Sequence, residues 1–183
     1  MNKGRPDGSI IRNRIILILN EVKTSYGYEI FTIYKKLFGR VHIRSIYYNL
    51  KKGIEKEEII VVNVSREIGD YSWGDEVEKI YYTLGPYAKV IGSKEDLEKL
   101  AELKLNKKDM KIDWEKEIKN IIIQLKKDIN NYKERYEVLS SQGKKLLKEK
   151  ILEKLKKIKS FSLEKISSEK IEKMLEGINP DTL

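Results

Sequence analysis

The sequence contains no cysteine and a single histidine, His42. It can therefore form neither a disulfide bond nor a thiolate metal site, and no other residues show metal-ligand spacing. The longest apolar runs, residues 15–19 and 59–62, are far shorter than the ~20 residues that span a bilayer. No hydrophobic segment follows the charged start, as a signal peptide would require. We expect a cytoplasmic protein with no metal, no cofactor and no membrane partner.

Motifs for catalysis are also missing. The chain has no glycine-rich phosphate-binding loop and no nucleophile with a histidine base. Paired carboxylates occur only within lysine-rich helical faces, where a solvated surface explains them. The sequence therefore predicts a binding protein and not an enzyme.

Positive charge is abundant but unevenly distributed. The net charge is +9, and residues 1–60 contain 12 Lys and Arg against 6 Asp and Glu. A basic amino-terminal third favours a nucleic-acid partner, because each neutralised phosphate releases condensed counterions. The alternative is that a lysine-rich surface only keeps the protein soluble.

Residues 26–60 carry the pattern that says most about the fold. Apolar side chains recur at helical spacing over residues 30–38, and Gly39 follows as the expected C-cap. A second helix is predicted at about residues 43–57, and its apolar face consists of Ile43, Ile46, Tyr47, Leu50 and Ile54. Its polar face consists of Arg44, Ser45, Tyr48, Asn49, Lys51 and Lys52. This pair predicts a helix-turn-helix whose second helix suits a DNA major groove.

Two β-branched or aromatic segments, residues 59–64 and 79–84, predict a two-stranded wing after the second helix. Residues 65–78 between them are too long for a tight hairpin turn and are acidic, so we expect a long, solvated acidic loop there. We expect this wing tip to stay off the DNA or to bind it weakly.

The amino terminus predicts a basic arm followed by a first helix. Residues 1–8 read as flexible, and Arg5 lies in a Gly-Arg-Pro tripeptide of the kind that can enter a minor groove. A disordered tail is the alternative. Arg12, in the helix that begins after Ser9, is placed where such an arm would meet the DNA backbone.

Residues 9–86 resemble the PadR family of winged-helix transcriptional regulators. The matching stretches are Tyr-Gly-Tyr-Glu-Ile at 26–30, Ser-Ile-Tyr-Tyr-Asn-Leu at 45–50, Ile-Glu-Lys-Glu-Glu-Ile-Ile at 54–60 and Tyr-Tyr-Thr-Leu-Gly-Pro at 81–86. The resemblance implies a DNA partner and a tyrosine that contacts the DNA backbone, which helical phase assigns to Tyr48 and not to Tyr47. Glu58 stands where the family has a helix-ending glycine, and a left-handed Glu would cost about 1 kcal/mol.

Residues 93–183 are helical in pattern and strongly charged. From Asp113 onward, apolar residues recur at intervals of three and four, which is typical of a coiled coil. This seam contains Trp114, Ile118, Ile121, Leu125, Ile129 and Tyr132. Residues 140–143 interrupt it, so residues 113–139 and 144–160 form either a helical hairpin or one continuous helix.

A long, narrow apolar seam predicts a homodimer, because its own chain offers too little surface to bury it. The alternative is that these helices pack on the winged domain. The PadR resemblance also implies carboxy-terminal dimerisation and a small aromatic effector near the dimer interface, where Trp114 could stack on it. The alternative for Trp114 is an ordinary core residue.

The expected fold is mainly α with a small β-hairpin wing: an arm at 1–8, a winged helix-turn-helix domain at 9–92 and a helical, coiled-coil-like dimerisation region at 93–183. The expected function is sequence-specific binding of double-stranded DNA by a homodimeric transcriptional regulator, a repressor. The residues expected to meet base edges or nearby backbone are Arg44, Ser45, Asn49 and Lys52, and those expected to hold phosphates are Arg5, Arg12, Tyr48 and Lys51. The alternatives are an architectural DNA- or RNA-binding protein and a protein-interaction adaptor.

Overall fold

The structure is a computed structural model that describes residues 9–71, 74–103 and 110–178. The chain divides into two compact units, Met1–Ile112 and Asp113–Leu183. The predicted arm at residues 1–8, including Arg5, lies outside the described residues.

The first unit combines helices with one small antiparallel sheet. Its elements are α1 (Ile10–Val22), β1 (Ser25–Tyr26), α2 (Gly27–Phe38), α3 (Ile43–Glu55), β2 (Ile59–Tyr71), β3 (Gly74–Leu84) and α4 (Lys94–Glu102). The sheet has three strands in the order β1-β3-β2. A helix-turn-helix followed by a β-hairpin is a winged architecture, so the predicted fold class, mainly α with a small wing, is confirmed.

The core of the first unit is built around α1. Residues 15–19 of this helix are all buried, so α1 packs against other elements on most of its sides. α2 contributes Ile30 and Tyr34 to the same core, and α3 contributes Ile46 and Leu50. The core therefore holds α3 by its apolar face and leaves the opposite face to solvent.

The wing is longer than the sequence predicted. β2 and β3 pair from Ile59 opposite Leu84 out to Tyr71 opposite Gly74. The prediction of a long loop at residues 65–78 is therefore wrong, since most of this segment is strand. The polar stretch can pair because opposite charges face each other across the strands, as Arg66 and Glu78 do.

The end of α3 shows how the chain turns into the wing. Glu57 takes the left-handed conformation, with a φ of 54°. The Glu58 N–H donates to the Gly53 carbonyl at 2.9 Å, and the Glu57 N–H donates to the Ile54 carbonyl at 2.9 Å. These two bonds make a Schellman motif, which usually has glycine at the left-handed position. The left-handed residue is therefore Glu57, whereas Glu58, which stands where the family has a helix-ending glycine, does not take a positive φ.

Glu57→Gly should raise the free energy of unfolding by about 1 kcal/mol, because glycine adopts a positive φ without steric strain. Urea denaturation followed by circular dichroism measures the change. Glu55→Gly is a matched control in the last helical turn, where glycine should destabilise by about 0.5–1 kcal/mol. Destabilisation by both substitutions would contradict the left-handed assignment of Glu57.

α4 belongs to the first unit. Its Asp96 accepts two hydrogen bonds from Arg14 of α1, from Nε at 3.2 Å and from Nη2 at 3.0 Å. Leu100 on the same helix is buried in the core around α1. The predicted domain boundary after residue 92 is therefore misplaced, and the first unit extends to Ile112.

The second unit is a helical hairpin followed by a short helix. Its elements are α5 (Trp114–Arg135), a 3₁₀ turn (Tyr136–Val138), α6 (Ser141–Leu163) and α7 (Ser168–Leu175). Ser140 starts α6 by accepting a hydrogen bond from the Gly143 N–H at 3.2 Å. Lys154 Nζ of α6 lies 2.6 Å from Asp128 Oδ2 of α5, which ties the two long helices together. Of the two arrangements predicted for these helices, the structure has the hairpin.

The seam that predicted a dimer is covered within one chain. Its buried members are Ile118, Ile121, Leu125, Ile129 and Tyr132. They lie on α5, which packs against α6 and α7, and the Trp114 ring meets the Phe161 ring edge-on with centroids 5.7 Å apart. The inference that this seam needs a second copy of the chain to bury it is therefore wrong. A homodimer and an effector at Trp114 stay predictions.

Candidate nucleic-acid interface

α3 presents a narrow cationic strip to solvent. Arg44, Tyr48 and Lys51 are exposed and follow each other at intervals of four and three residues, so they lie on one side of the helix. At a rise of ~1.5 Å per residue, the three side chains cover about 10 Å along the helix. We call these three residues the α3 strip.

The start of α3 extends this cationic surface. Arg40 and His42 are exposed in the turn that precedes the helix. His42 is the N-cap residue but makes no side-chain hydrogen bond to the helix. The His42 side chain therefore does not cap the first backbone N–H groups of α3. Such groups readily donate hydrogen bonds to an anion. Arg40 was not among the predicted site residues, because a lone arginine in a turn carries no periodic signal.

Lys52 lies beside the α3 strip with its charge paired. Its Nζ is 2.6 Å from Glu55 Oε2 and 5.9 Å from the centre of the Tyr48 ring. The hydrogen bond to Glu55 raises the pKa of Lys52, and the same bond lowers the pKa of Glu55. Both side chains are exposed, so the pair adds little stability, but it offsets one positive charge on the solvent-facing side of the helix.

Asn49 points into the protein and not to the exposed face. Its side chain is buried, and Nδ2 donates to the Ser45 carbonyl at 2.8 Å, while Ser45 itself is half-buried. The prediction that Asn49 lies on the polar face of the helix is therefore wrong. Helical spacing places Asn49 beside Ile46 and Leu50, which are buried as well, and the polarity of its side chain alone had indicated an exposed position.

Three residues predicted to be buried are instead partly exposed: Ile43 at 36%, Tyr47 at 46% and Ile54 at 38%. The Tyr47 ring lies against the backbone of α2, where a Cβ atom on Gly27 would be 2.5 Å from Tyr47 Cε1. Burial raises the pKa of Tyr47. Its phenol is therefore neutral at physiological pH. Tyr48 is the more exposed tyrosine at 61%, as helical phase predicted.

Arg12 is enclosed by the protein. Its side chain is 9% exposed, and its Nε lies 2.7 Å from Glu58 Oε2, whose side chain is 17% exposed. The N–H does not point along the line to the oxygen, so the contact is an ion pair and not an aligned hydrogen bond. The pair joins α1 to the segment between α3 and β2. This enclosed and paired position disfavours the predicted contact of Arg12 with the DNA backbone, and that contact stays a prediction.

Several charges on the described part of the wing lie beside an opposite charge. Lys79 forms an ion pair with Glu67, and the Tyr81 hydroxyl donates to Glu67 Oε1 at 3.0 Å. Arg66 is exposed opposite Glu78. The α3 strip and the turn before it therefore form the more cationic surface. That the wing stays off the DNA is still a prediction.

The described residues offer neither a metal-binding cluster nor a membrane-spanning helix. Over residues 9–71, 74–103 and 110–178, no group of three or more His, Cys, Asp or Glu could hold a metal ion. Among the same described residues, no helix is long and apolar enough to cross a membrane.

The helix order, the sheet topology and the exposed α3 strip define a winged helix-turn-helix protein. No family model and no curated protein matches the chain. Among solved structures it is similar to the crystal structure of Bacillus subtilis PadR in complex with operator DNA. The match has 16% sequence identity, covers 85% of this chain and 94% of that chain, and has a TM-score of 0.31. At this identity and TM-score the match assigns no family.

Proposed function

We propose that this chain is a sequence-specific regulator of transcription, a repressor, that binds double-stranded DNA through α3. The observation that carries the proposal is the α3 strip: two cationic side chains and a tyrosine on the solvent face of a helix whose other face is fixed in the core. Such a helix fits a B-DNA major groove, whereas the deep, narrow major groove of RNA would exclude it.

Within this proposal, the members of the α3 strip have different tasks. Arg44 lies in the first turn of the helix, where recognition helices usually reach base edges, and its guanidinium can bind guanine with two hydrogen bonds. Tyr48 and Lys51 continue along the same side and suit phosphate oxygens. Ser45 and Lys52 lie at the margins of the strip, and the Glu55 carboxylate reduces the attraction of Lys52 for phosphate.

We further propose that the regulator works as a homodimer. A strip about 10 Å long spans only about three base pairs, which is too short to specify one operator. Two copies related by a two-fold axis would present two α3 helices to successive major grooves, roughly 34 Å apart. Because α6 and α7 cover the predicted seam, the contact between copies would use apolar side chains that the second unit leaves exposed, such as Ile123 and Leu146.

Repeated selection of duplexes from a random pool, followed by sequencing, tests this proposal. We expect enrichment of a two-fold symmetric motif with half-sites 10–10.5 base pairs apart, or a multiple of about that spacing. Retention of duplexes without a shared motif would indicate an architectural protein. Failure to retain any duplex would contradict DNA binding and favour a protein-interaction adaptor.

A further inference from the structure

The second unit contains a groove between α5 and α7. It consists of two adjoining hollows of about 380 and 190 Å³, both of which are lined by Lys126. Along α5 the lining runs from Glu115 to Lys133, which is about 27 Å at a rise of ~1.5 Å per residue. The opposite wall consists of α7 and the residues that follow it. The groove is therefore long enough to hold about five turns of a further helix.

The floor of the groove is apolar. Ile122 and Ile129 of α5 line it and are buried. Met174 of α7 and Ile178 line it and are half-buried. Ile123 also lines the groove and is 48% exposed. Covering these side chains would remove apolar surface from water, which favours a partner that has an apolar face of its own.

Positive charge surrounds this apolar floor. Lys119, Lys126 and Lys133 recur every seven residues, so they lie along nearly the same side of α5. Lys170 and Lys173 of α7 line the other wall. Two glutamates also line the groove, so its net charge is +3. A partner with negative charge on both sides of its apolar face would be attracted by both walls.

Three of these charges are available to a partner. Lys119, Lys133 and Lys173 are exposed and form no ion pair with the other residues that the structure describes. In contrast, Lys170 Nζ lies 2.5 Å from Glu115 Oε2, which offsets its charge. The uncompensated charges therefore lie on both walls, two on α5 and one on α7.

The floor and the walls together select one class of partner. A nucleic-acid backbone would pair with the lysines but would leave the apolar floor uncovered. An amphipathic helix with acidic flanks satisfies both, because its apolar face covers the floor and its carboxylates reach the lysines on either wall. A helix laid between two others also packs in the ordinary way of a helical bundle.

We propose that the groove between α5 and α7 binds an acidic amphipathic helix of another protein. The site goes beyond the proposed function and does not rest on it, since no residue of α3 lines the groove. Ile123 is also a side chain through which two copies of this chain could meet. A partner helix and a second copy would therefore exclude one another at Ile123.

The binding is tested with a fluorescein-labelled peptide of about 18 residues, which is about 27 Å long as a helix. It carries leucine on one face, glutamate on both flanks of that face and alanine elsewhere. Anisotropy titration with the full-length protein should show saturable binding at one site. A peptide of the same composition whose leucines are dispersed around the helix should bind at least about tenfold more weakly. The same loss is expected for a peptide with lysine in place of glutamate.

A double charge reversal tests the two walls. Lys119→Glu with Lys173→Glu should weaken binding of the peptide at least about tenfold, because it places a negative charge on each wall. The matched control is Lys156→Glu with Lys159→Glu, which reverses two exposed lysines of α6 that do not line the groove. At about 0.15 M salt it should change the affinity by less than about threefold. Equal losses by the two pairs would overturn the site.

A single substitution tests the apolar contact. Ile123→Asp should weaken binding of the peptide at least about tenfold. Leu163→Asp is the matched control, because Leu163 is 51% exposed on α6 and does not line the groove. Its affinity should stay within about twofold of that of the unsubstituted protein. Circular dichroism verifies that each variant is folded, and the charge reversals decide the test if Ile123→Asp does not fold.

Three outcomes would overturn the proposal. The first is the absence of saturable binding to the unsubstituted protein. The second is displacement of the peptide by a scrambled duplex, with loss of duplex binding in the Lys119→Glu and Lys173→Glu variant, which would assign the groove to nucleic acid. The third is a dimer that Ile123→Asp dissociates in sedimentation equilibrium without any binding of the peptide, which would assign the groove to a second copy.

The groove and the proposed function can fail separately. A protein that binds the acidic peptide but no duplex would support the groove and contradict binding of DNA. A protein that binds the selected duplex but not the peptide would support the proposed function and overturn the groove.

Discussion

Arg44→Ala combined with Lys51→Ala should lower the affinity for the selected duplex by about 100-fold or more. Each of these side chains is exposed on the α3 strip, and neither forms an ion pair with another side chain in the described part of the chain. A lost contact to a base or phosphate typically costs about 1–3 kcal/mol, and two losses of about 1.4 kcal/mol or more each weaken binding by a factor of about 100 or more. The fold should be unchanged, since both side chains point away from the core.

The matched control for this pair removes the same charge elsewhere. Lys156→Ala with Lys159→Ala acts on two exposed lysines of α6 and should change DNA affinity by less than about threefold. Fluorescence anisotropy with a labelled duplex measures both variants. If the two double variants lose affinity equally, the protein binds DNA through its general positive charge, and α3 has no special role.

Arg12→Met should lower the free energy of unfolding by about 3–5 kcal/mol. The Glu58 carboxylate has little exposure to solvent, and the substitution removes the positive charge that it pairs with. A loss of this size is a large fraction of the stability of a typical domain, about 5–15 kcal/mol. The combination of Arg12→Met with Glu58→Leu should recover most of the loss, since it replaces both charges with apolar groups. Thermal and urea denaturation of Arg12→Met, of Glu58→Leu and of the double variant measure the coupling.

DNA binding by the same variant separates the two roles considered for Arg12. At a temperature where Arg12→Met is folded, we expect its DNA affinity to stay within about twofold of that of the unsubstituted protein. A stable Arg12→Met variant with greatly weakened DNA binding would show instead that Arg12 contacts DNA, as the sequence suggested.

Local periodicity was enough to predict the helix-turn-helix. α2, α3 and the strands around residues 59–64 and 79–84 were all expected, because apolar residues at helical or alternating spacing must face a core. Asn49 shows the limit of this reasoning. Its polar amide suggested an exposed position, but a hydrogen bond to the Ser45 carbonyl allows it to be buried among apolar neighbours.

Partners distant in sequence explain the remaining errors. The sequence indicated a surface position for Arg12, because no local pattern predicts its contact with Glu58. In the structure, Arg12 Nε lies 2.7 Å from Glu58 Oε2. Residues 65–78 looked like an acidic loop because their charges are compensated only after β2 and β3 pair. An apolar stripe such as the seam on α5 must be covered, but its sequence does not say which helices cover it. In the structure, α6 and α7 of the same chain pack against α5.

The central claim is that α3 reads a DNA sequence, and the most direct test is an anisotropy titration of the full chain with the selected duplex and with a scrambled duplex of equal length. The titrations are run at two salt concentrations, about 50 mM and about 200 mM, because phosphate contacts weaken with salt on any duplex. We predict that the selected duplex binds about 1,000-fold more tightly than the scrambled one. We also predict that salt weakens both complexes. Equal affinity for the two duplexes at both salt concentrations would contradict the claim.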